Sequence, residues 1–157
     1  MRQKELTRLG YAGLAPFVAS AIGVLAMPEA TPNMAAIIGT VYSAIIASYM
    51  AGMGAGGLIV SGRPADRALL PGMIASLIAW LAALPLGLSE TAGLVLSFNY
   101  IPQRCVLMIA VFIYLLKIDL EAVAANGLPG WYAHLRKRLT LGACISLATI
   151  AAGVSIA

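Results

Sequence analysis

Five long apolar stretches dominate the chain, at about Leu9 to Met27, Met34 to Val60, Ala68 to Leu84, Gln103 to Ala122 and Leu139 to Ala157. Each approaches the roughly 20 residues that a helix needs to cross a hydrocarbon core about 30 Å thick. The polar breaks between them are short. Pro28 and Pro32 stop the first stretch and Pro85 with Gly87 stops the third, because proline cannot continue a helical hydrogen-bond ladder. Asp66 is placed to cap the third helix, with Pro71 tolerable in its first turn. The pattern predicts an all-α membrane protein, a single five-helix transmembrane bundle over residues 1–157. Its first span reads as a signal anchor, since Arg2 and Lys4 precede the apolar run.

Within the second stretch, small residues recur at every fourth position. One row is Ala44, Ser48, Gly52 and Gly56, and a parallel row is Gly39, Ser43, Ala47, Ala51 and Ala55. Lipid supplies no hydrophobic force to press helices together, so association relies on close backbone approach, which such faces permit. The row Ala44, Ser48, Gly52 and Gly56 is therefore the expected helix-packing face, and the second span is expected to be central. The glycines from Gly52 to Gly57 lack the preceding strand and the following Lys-Ser or Lys-Thr of a phosphate-cradling loop, so packing is the better reading.

The fourth stretch is interrupted by Asn99, Pro102, Gln103 and Arg104. A helix beginning near Thr91 would leave Arg104 well inside the hydrocarbon, at about 2.5–3.5 kcal/mol on insertion scales. A break at Pro102 lets Arg104 reach the outer headgroups, with Phe98 and Tyr100 as an aromatic belt. The second geometry is favoured, which makes residues 91–101 a short interfacial or re-entrant segment. Asn99, Gln103 and Arg104 then form either a polar site or an outer anchor.

Charge adds orientation. Arg2, Lys4, Arg8, Arg63, Arg67, Lys117, Arg136, Lys137 and Arg138 all fall in segments that alternate to one side of the five spans. Because Lys and Arg are retained on the cytoplasmic side, the amino terminus is expected inside and the carboxyl terminus outside. The loop between the last two spans surrounds Trp131 and Tyr132 with Lys117, Asp119, Glu121, Arg136, Lys137 and Arg138, and is expected to lie along the cytoplasmic surface. Trp131, Tyr132, Arg136, Lys137 and Arg138 are its expected interface anchors. With 61% hydrophobic and 10% charged residues, the chain has too little polar surface to wrap a soluble globule. The net charge of +4 follows from topology, which removes nucleic acid as a partner.

Candidate chemistry is sparse. His134 lies among surface charges rather than in a span, no His-Asp pairing or Gly-x-Ser-x-Gly elbow activates a nucleophile, and Cys105 and Cys144 sit on apolar stretches as free thiols. Met50 and Met53 lack the Cys or His partners of a copper site and read as flexible packing. No catalytic residue, cofactor, metal or soluble substrate is expected.

Several phrases nonetheless carry a resemblance: Leu9 to Phe17 (LGYAGLAPF), Tyr42 to Tyr49, Leu70-Pro71 with Ala79-Trp80-Leu81, and above all Gly127 to Arg136 (GLPGWYAHLR). They resemble a family of small bacterial inner-membrane proteins of unknown function that has a mitochondrial transmembrane relative. The resemblance spans nearly the whole chain and implies a five-span topology but no reaction. The sequence departs from that family where Ser-Phe-Leu-Gly-Gly is followed by x-His-Trp-Gly, since Met53-Gly54-Ala55-Gly56 stands there instead. The segment from Leu86 to Arg104 is also longer than the family's. The expected function is an accessory or stabilising subunit of a larger inner-membrane complex, energy-transducing or transporting, with lipids and other integral subunits as partners. The alternative is a small channel or transporter using the Gly-rich second span and the Arg104 region.

Overall fold

The computed structural model describes residues 2–26, 32–60, 62, 66–89, 93–96, 100–126 and 128–156. Among these residues, six α-helices and one β-hairpin follow one another as α1 (Arg2–Ala12), α2 (Ala15–Ala26), α3 (Pro32–Val60), α4 (Asp66–Ala83), β1 (Leu86–Ser89), β2 (Gly93–Leu96), α5 (Ile101–Ala124) and α6 (Gly130–Ile156). Among the described residues, three segments, Lys4–Ala26, Met34–Val60 and Gly130–Ile156, are long and apolar enough to cross a membrane, and Leu69–Ala83 is a shorter apolar helix. Many large apolar side chains point outward. Leu9, Ile22, Leu25, Ile45, Leu77, Trp80, Val106, Leu141 and Ile145 are all exposed, while alanine, serine and threonine fill much of the interior. That arrangement suits a lipid solvent, where burial of bulk is no gain and close helix approach is.

The first apolar segment is two helices. Pro16 has no N–H to donate, and Gly13 and Leu14 close the junction as turn residues whose amides bond the carbonyls of Leu9 and Tyr11 at 2.9 and 3.0 Å. Tyr42 of α3 donates its hydroxyl to the Gly13 carbonyl at 2.9 Å, holding the break against the bundle. Phe17 packs edge-on to Tyr42 at 5.1 Å and to Phe112 at 5.9 Å, which ties α2, α3 and α5 together.

Helix α3 is central and touches α2, α4, α5 and α6. Its buried surface is the row Gly39, Ser43, Ala47, Ala51 and Ala55. A Cβ at Gly39 would stand 2.7 Å from Ile150 Cδ1 and 2.9 Å from Ser20 Cβ, so three helices meet there at backbone distance. Thr40 and Ser43 are buried without loss because their hydroxyls donate to the carbonyls of Ala36 and Thr40 in their own helix, at 2.8 and 2.6 Å.

Three details differ from the sequence pattern. Helix α4 starts at Asp66, so Pro71 lies past the first turn; near the helix start, the one carbonyl it leaves without a helical partner is cheap. The stretch expected to be interfacial or re-entrant over 91–101 contains a strand, the second of a hairpin in which Leu86 pairs with Leu96 and Ser89 with Gly93. Tyr100, at φ 63°, then turns the chain directly into α5. Finally, the last helix begins at Gly130 rather than near Leu139. The charged segment expected along the surface is helical from Gly130 onward, because nothing between Trp131 and Ile156 breaks a helix once Arg136 has a buried partner.

Candidate functional site

The two facing helices α5 and α6 each carry a seven-residue apolar repeat. On α5 the buried positions Ile101, Cys105, Met108, Phe112 and Leu115 continue to Asp119, and on α6 Arg136 and Thr140 lead into Ala143, Leu147 and Ile150. Spacings of four and three keep these residues on one helix face. The two repeats bring a carboxylate and a guanidinium together at the α5–α6 turn. Arg136 Nε donates to Asp119 Oδ2, with Arg136 only 2% exposed and Asp119 5%.

Other groups complete this centre. Arg136 Nη1 donates to Met50 Sδ on α3 at 3.2 Å, which is a weak acceptor in place of water. The Tyr132 hydroxyl is buried beside the same carboxylate. Among the described residues, Arg136 Nη2 and Thr140 Oγ1 form no hydrogen bond within the protein. On the far side of the carboxylate lies Gly54, where a Cβ would come 2.8 Å from Asp119 Oδ1. A cavity of about 10 Å³, about the room of one water, adjoins Gly54, Leu115, Ile118 and Asp119.

A second polar centre lies at the opposite end of α5. Arg104 Nη1 donates to the carbonyls of Ala82 and Leu84 at 2.8 and 2.5 Å, and Nη2 donates to that of Leu86 at 2.6 Å. The last carbonyls of a helix have no intrahelical donors and carry partial negative charge, so a cation there is stabilised twice. Arg104 thereby closes the carboxyl end of α4 and fastens the first strand of the hairpin to α5.

The residues singled out from sequence are distributed as follows. Of Ala44, Ser48, Gly52 and Gly56, Ala44 is buried, Gly56 half-buried, and Ser48 and Gly52 exposed; the contact surface of α3 is the neighbouring row. Ser48 and Gly52 instead join Gly72, Met73, Ser76 and Leu77 of α4 in lining an open groove of about 360 Å³. Gly56 borders a broader groove of about 920 Å³ beside Asn126, Leu128 and Pro129. Gln103 is exposed, Arg104 is bound to carbonyls, and the placement of Asn99 lies outside the described residues. Trp131 and Tyr132 are half-buried and edge-on at 6.2 Å, and Lys137 and Arg138 are exposed. Arg136, expected at the interface with them, is in the core, because its position on the α6 repeat points it at Asp119. His134 is exposed, and among the described residues no three His, Cys, Asp or Glu side chains gather as a metal set.

The missed feature is the Asp119–Arg136 pair. Its signal was present, as a carboxylate at the next core position after Leu115 and a guanidinium four residues before Thr140 on the partner helix. No curated protein and no solved structure matches the chain. The family model described as "Protein of unknown function (DUF3429)" matches residues 2–152 of the 157, and the chain belongs to that family.

Proposed function

We propose that the protein is a non-catalytic integral membrane protein that stabilises a larger complex in a bacterial inner membrane, crossing the bilayer five times with its amino terminus cytoplasmic. The observation that carries this reading is the outward-facing groove of α3 and α4. Ser48, Gly52, Gly72 and Ser76 leave a furrow of about 360 Å³ on the surface, between the larger side chains of Leu69, Met73 and Leu77. Acyl chains gain little from a narrow furrow of small residues, whereas a transmembrane helix of another subunit gains close backbone contact.

Orientation is supported by the cations. Lys4 and Arg8 of α1, Lys117 near the end of α5, and Lys137 and Arg138 of α6 are exposed at the end of the bundle where α5 turns into α6. That end belongs on the cytoplasmic side by the retention of Lys and Arg. A channel built on the Arg104 region would need that guanidinium to meet a solute, and three of its hydrogen bonds already go to backbone carbonyls.

The test is extraction from native membranes in mild detergent, with Gly52→Leu beside the wild type. The wild type is expected in an assembly larger than itself, and Gly52→Leu is expected to leave as a folded monomer with an unchanged unfolding midpoint. Wild type running alone, or an assembly indifferent to Gly52→Leu, contradicts the proposal. Flux through liposomes holding only this protein would favour the channel.

A further inference from the structure

The Asp119 carboxylate is engaged mainly from the α6 side. Arg136 Nε donates to Oδ2 and the Tyr132 hydroxyl lies beside the group, while Oδ1 is turned toward α3, where a Cβ at Gly54 would stand 2.8 Å away. An ionised carboxylate offers about four acceptor positions, more than these two side chains fill. The cavity of about 10 Å³ borders Asp119 beside Gly54, with Leu58, Leu115 and Ile118 as apolar walls. Among the described residues, none of the side chains around it carries a hydrogen-bond donor. The backbone amides there are committed to their own helical ladders.

This cavity adjoins the outside of the bundle. Ala51, Ala55 and Gly72 border both it and the open α3–α4 groove of about 360 Å³. A Cβ at Gly72 would stand 3.5 Å from Ala51 Cβ and 3.7 Å from its carbonyl oxygen, in ordinary contact, so the glycine leaves room for a methyl group between the two spaces. The depth is small. Gly54 lies six residues before Val60, Gly72 six after Asp66 and Asp119 five before Ala124, so at about 1.5 Å per residue all three are within about 9 Å of the end at which these helices stop or start.

We infer that the cavity is a binding site for one ordered water, which donates to Asp119 Oδ1 and to the Ala51 carbonyl and enters from the α3–α4 groove past Gly72. Size and charge select this ligand. The volume is about that of a single water, and Arg136 already neutralises Asp119, so a second cation would leave the core with a net charge. The Ala51 carbonyl keeps a second lone pair beyond its helical bond, which gives the water the second partner that a buried water needs. The site stands without the partner proposed above, which would cover its entrance.

Hydroxyl-radical labelling of the full chain in lipid nanodiscs tests the site, because radicals formed at a bound water oxidise the side chains around it even where these are buried. Leu115, 3% exposed, borders the cavity, and the fully buried Leu147 of α6 does not. Wild type is expected to label Leu115 several-fold faster than Leu147. Gly72→Ala fills the gap without a clash, and Asp119→Leu with Arg136→Met removes the polar partner. Each is expected to bring Leu115 down to the Leu147 rate. Equal rates in the wild type would overturn the site. Undiminished labelling of Leu115 in the double variant would overturn Asp119 as the group that holds the water, and undiminished labelling in Gly72→Ala would overturn the entrance. A crystal structure of the wild type gives a check that needs no variant to fold: one water within hydrogen-bond distance of both Asp119 Oδ1 and the Ala51 carbonyl is expected, and a dry cavity would contradict the inference.

Discussion

Arg104 and Arg136 stand near opposite ends of the same pair of helices, and each has left bulk water by a different route. Arg104 is held by backbone carbonyls, those of Ala82 and Leu84 at the end of α4, where the helix leaves them without donors, and that of Leu86. Arg136 has a full counter-charge in Asp119 and sits among apolar residues of α3, α5 and α6. The difference teaches what each can lose. A guanidinium on peptide carbonyls is a joint between α5, the end of α4 and the hairpin, and its loss leaves carbonyls that solvent can satisfy. A paired charge in the core leaves behind an ion with nowhere to go when its partner is removed.

The largest effect is therefore expected from Asp119→Ala, which strands Arg136 in the core and is expected to lower stability by about 3–5 kcal/mol. Chemical or thermal unfolding in detergent checks it. Arg104→Ala comes next, at about 2 kcal/mol, because charge-assisted hydrogen bonds are lost but their acceptors can be hydrated. Limited proteolysis between Leu84 and Ile101 is expected to rise in that variant while the α5–α6 turn stays protected. If Arg104→Ala proves as damaging as Asp119→Ala, the contrast between joint and core fails.

A smaller change probes the carboxylate from its other side. Gly54→Ala places a methyl group 2.8 Å from Asp119 Oδ1, so the carboxylate or α3 must shift, with an expected cost of about 1–3 kcal/mol. The double variant Gly54→Ala with Asp119→Leu is expected to cost less than the two changes summed, since one methyl group then meets carbon instead of oxygen. The smallest effect is expected from Lys137→Gln, whose side chain is exposed one residue beyond Arg136; its unfolding midpoint is expected to match the wild type within about 0.5 kcal/mol.

Much of this architecture was legible because lipid makes a strong demand on sequence. The long apolar stretches ending at Pro28 and Pro85 mark helix limits that the structure places within a few residues, at Ala26 and Ala83. The central place of α3 follows from its small residues. Which of its two rows faces inward does not, because Ser48 and Gly52 are as small as Ala47 and Ala51, and the choice depends on where α2, α5 and α6 stand. The hairpin was hidden for a related reason. Leu86, Leu88, Leu94 and Leu96 alternate with little contrast, and a short apolar strand reads like an interfacial segment. Asp119 and Arg136 were misread as surface charges because residue type outweighed position; their spacing from Leu115 and Thr140 already placed them on the core repeats.

The central claim is that Asp119 and Arg136 act as one unit that fastens α5 to α6, and a double-mutant cycle tests it most directly. Stability in detergent is measured for the wild type, Asp119→Leu, Arg136→Met and the double variant. Each single change is expected to cost about 3–5 kcal/mol and the double variant much less than their sum, approaching the wild type, because two apolar groups of similar size replace a neutralised pair. If the two single changes add to within about 0.5 kcal/mol, the charges are not coupled and the account is wrong.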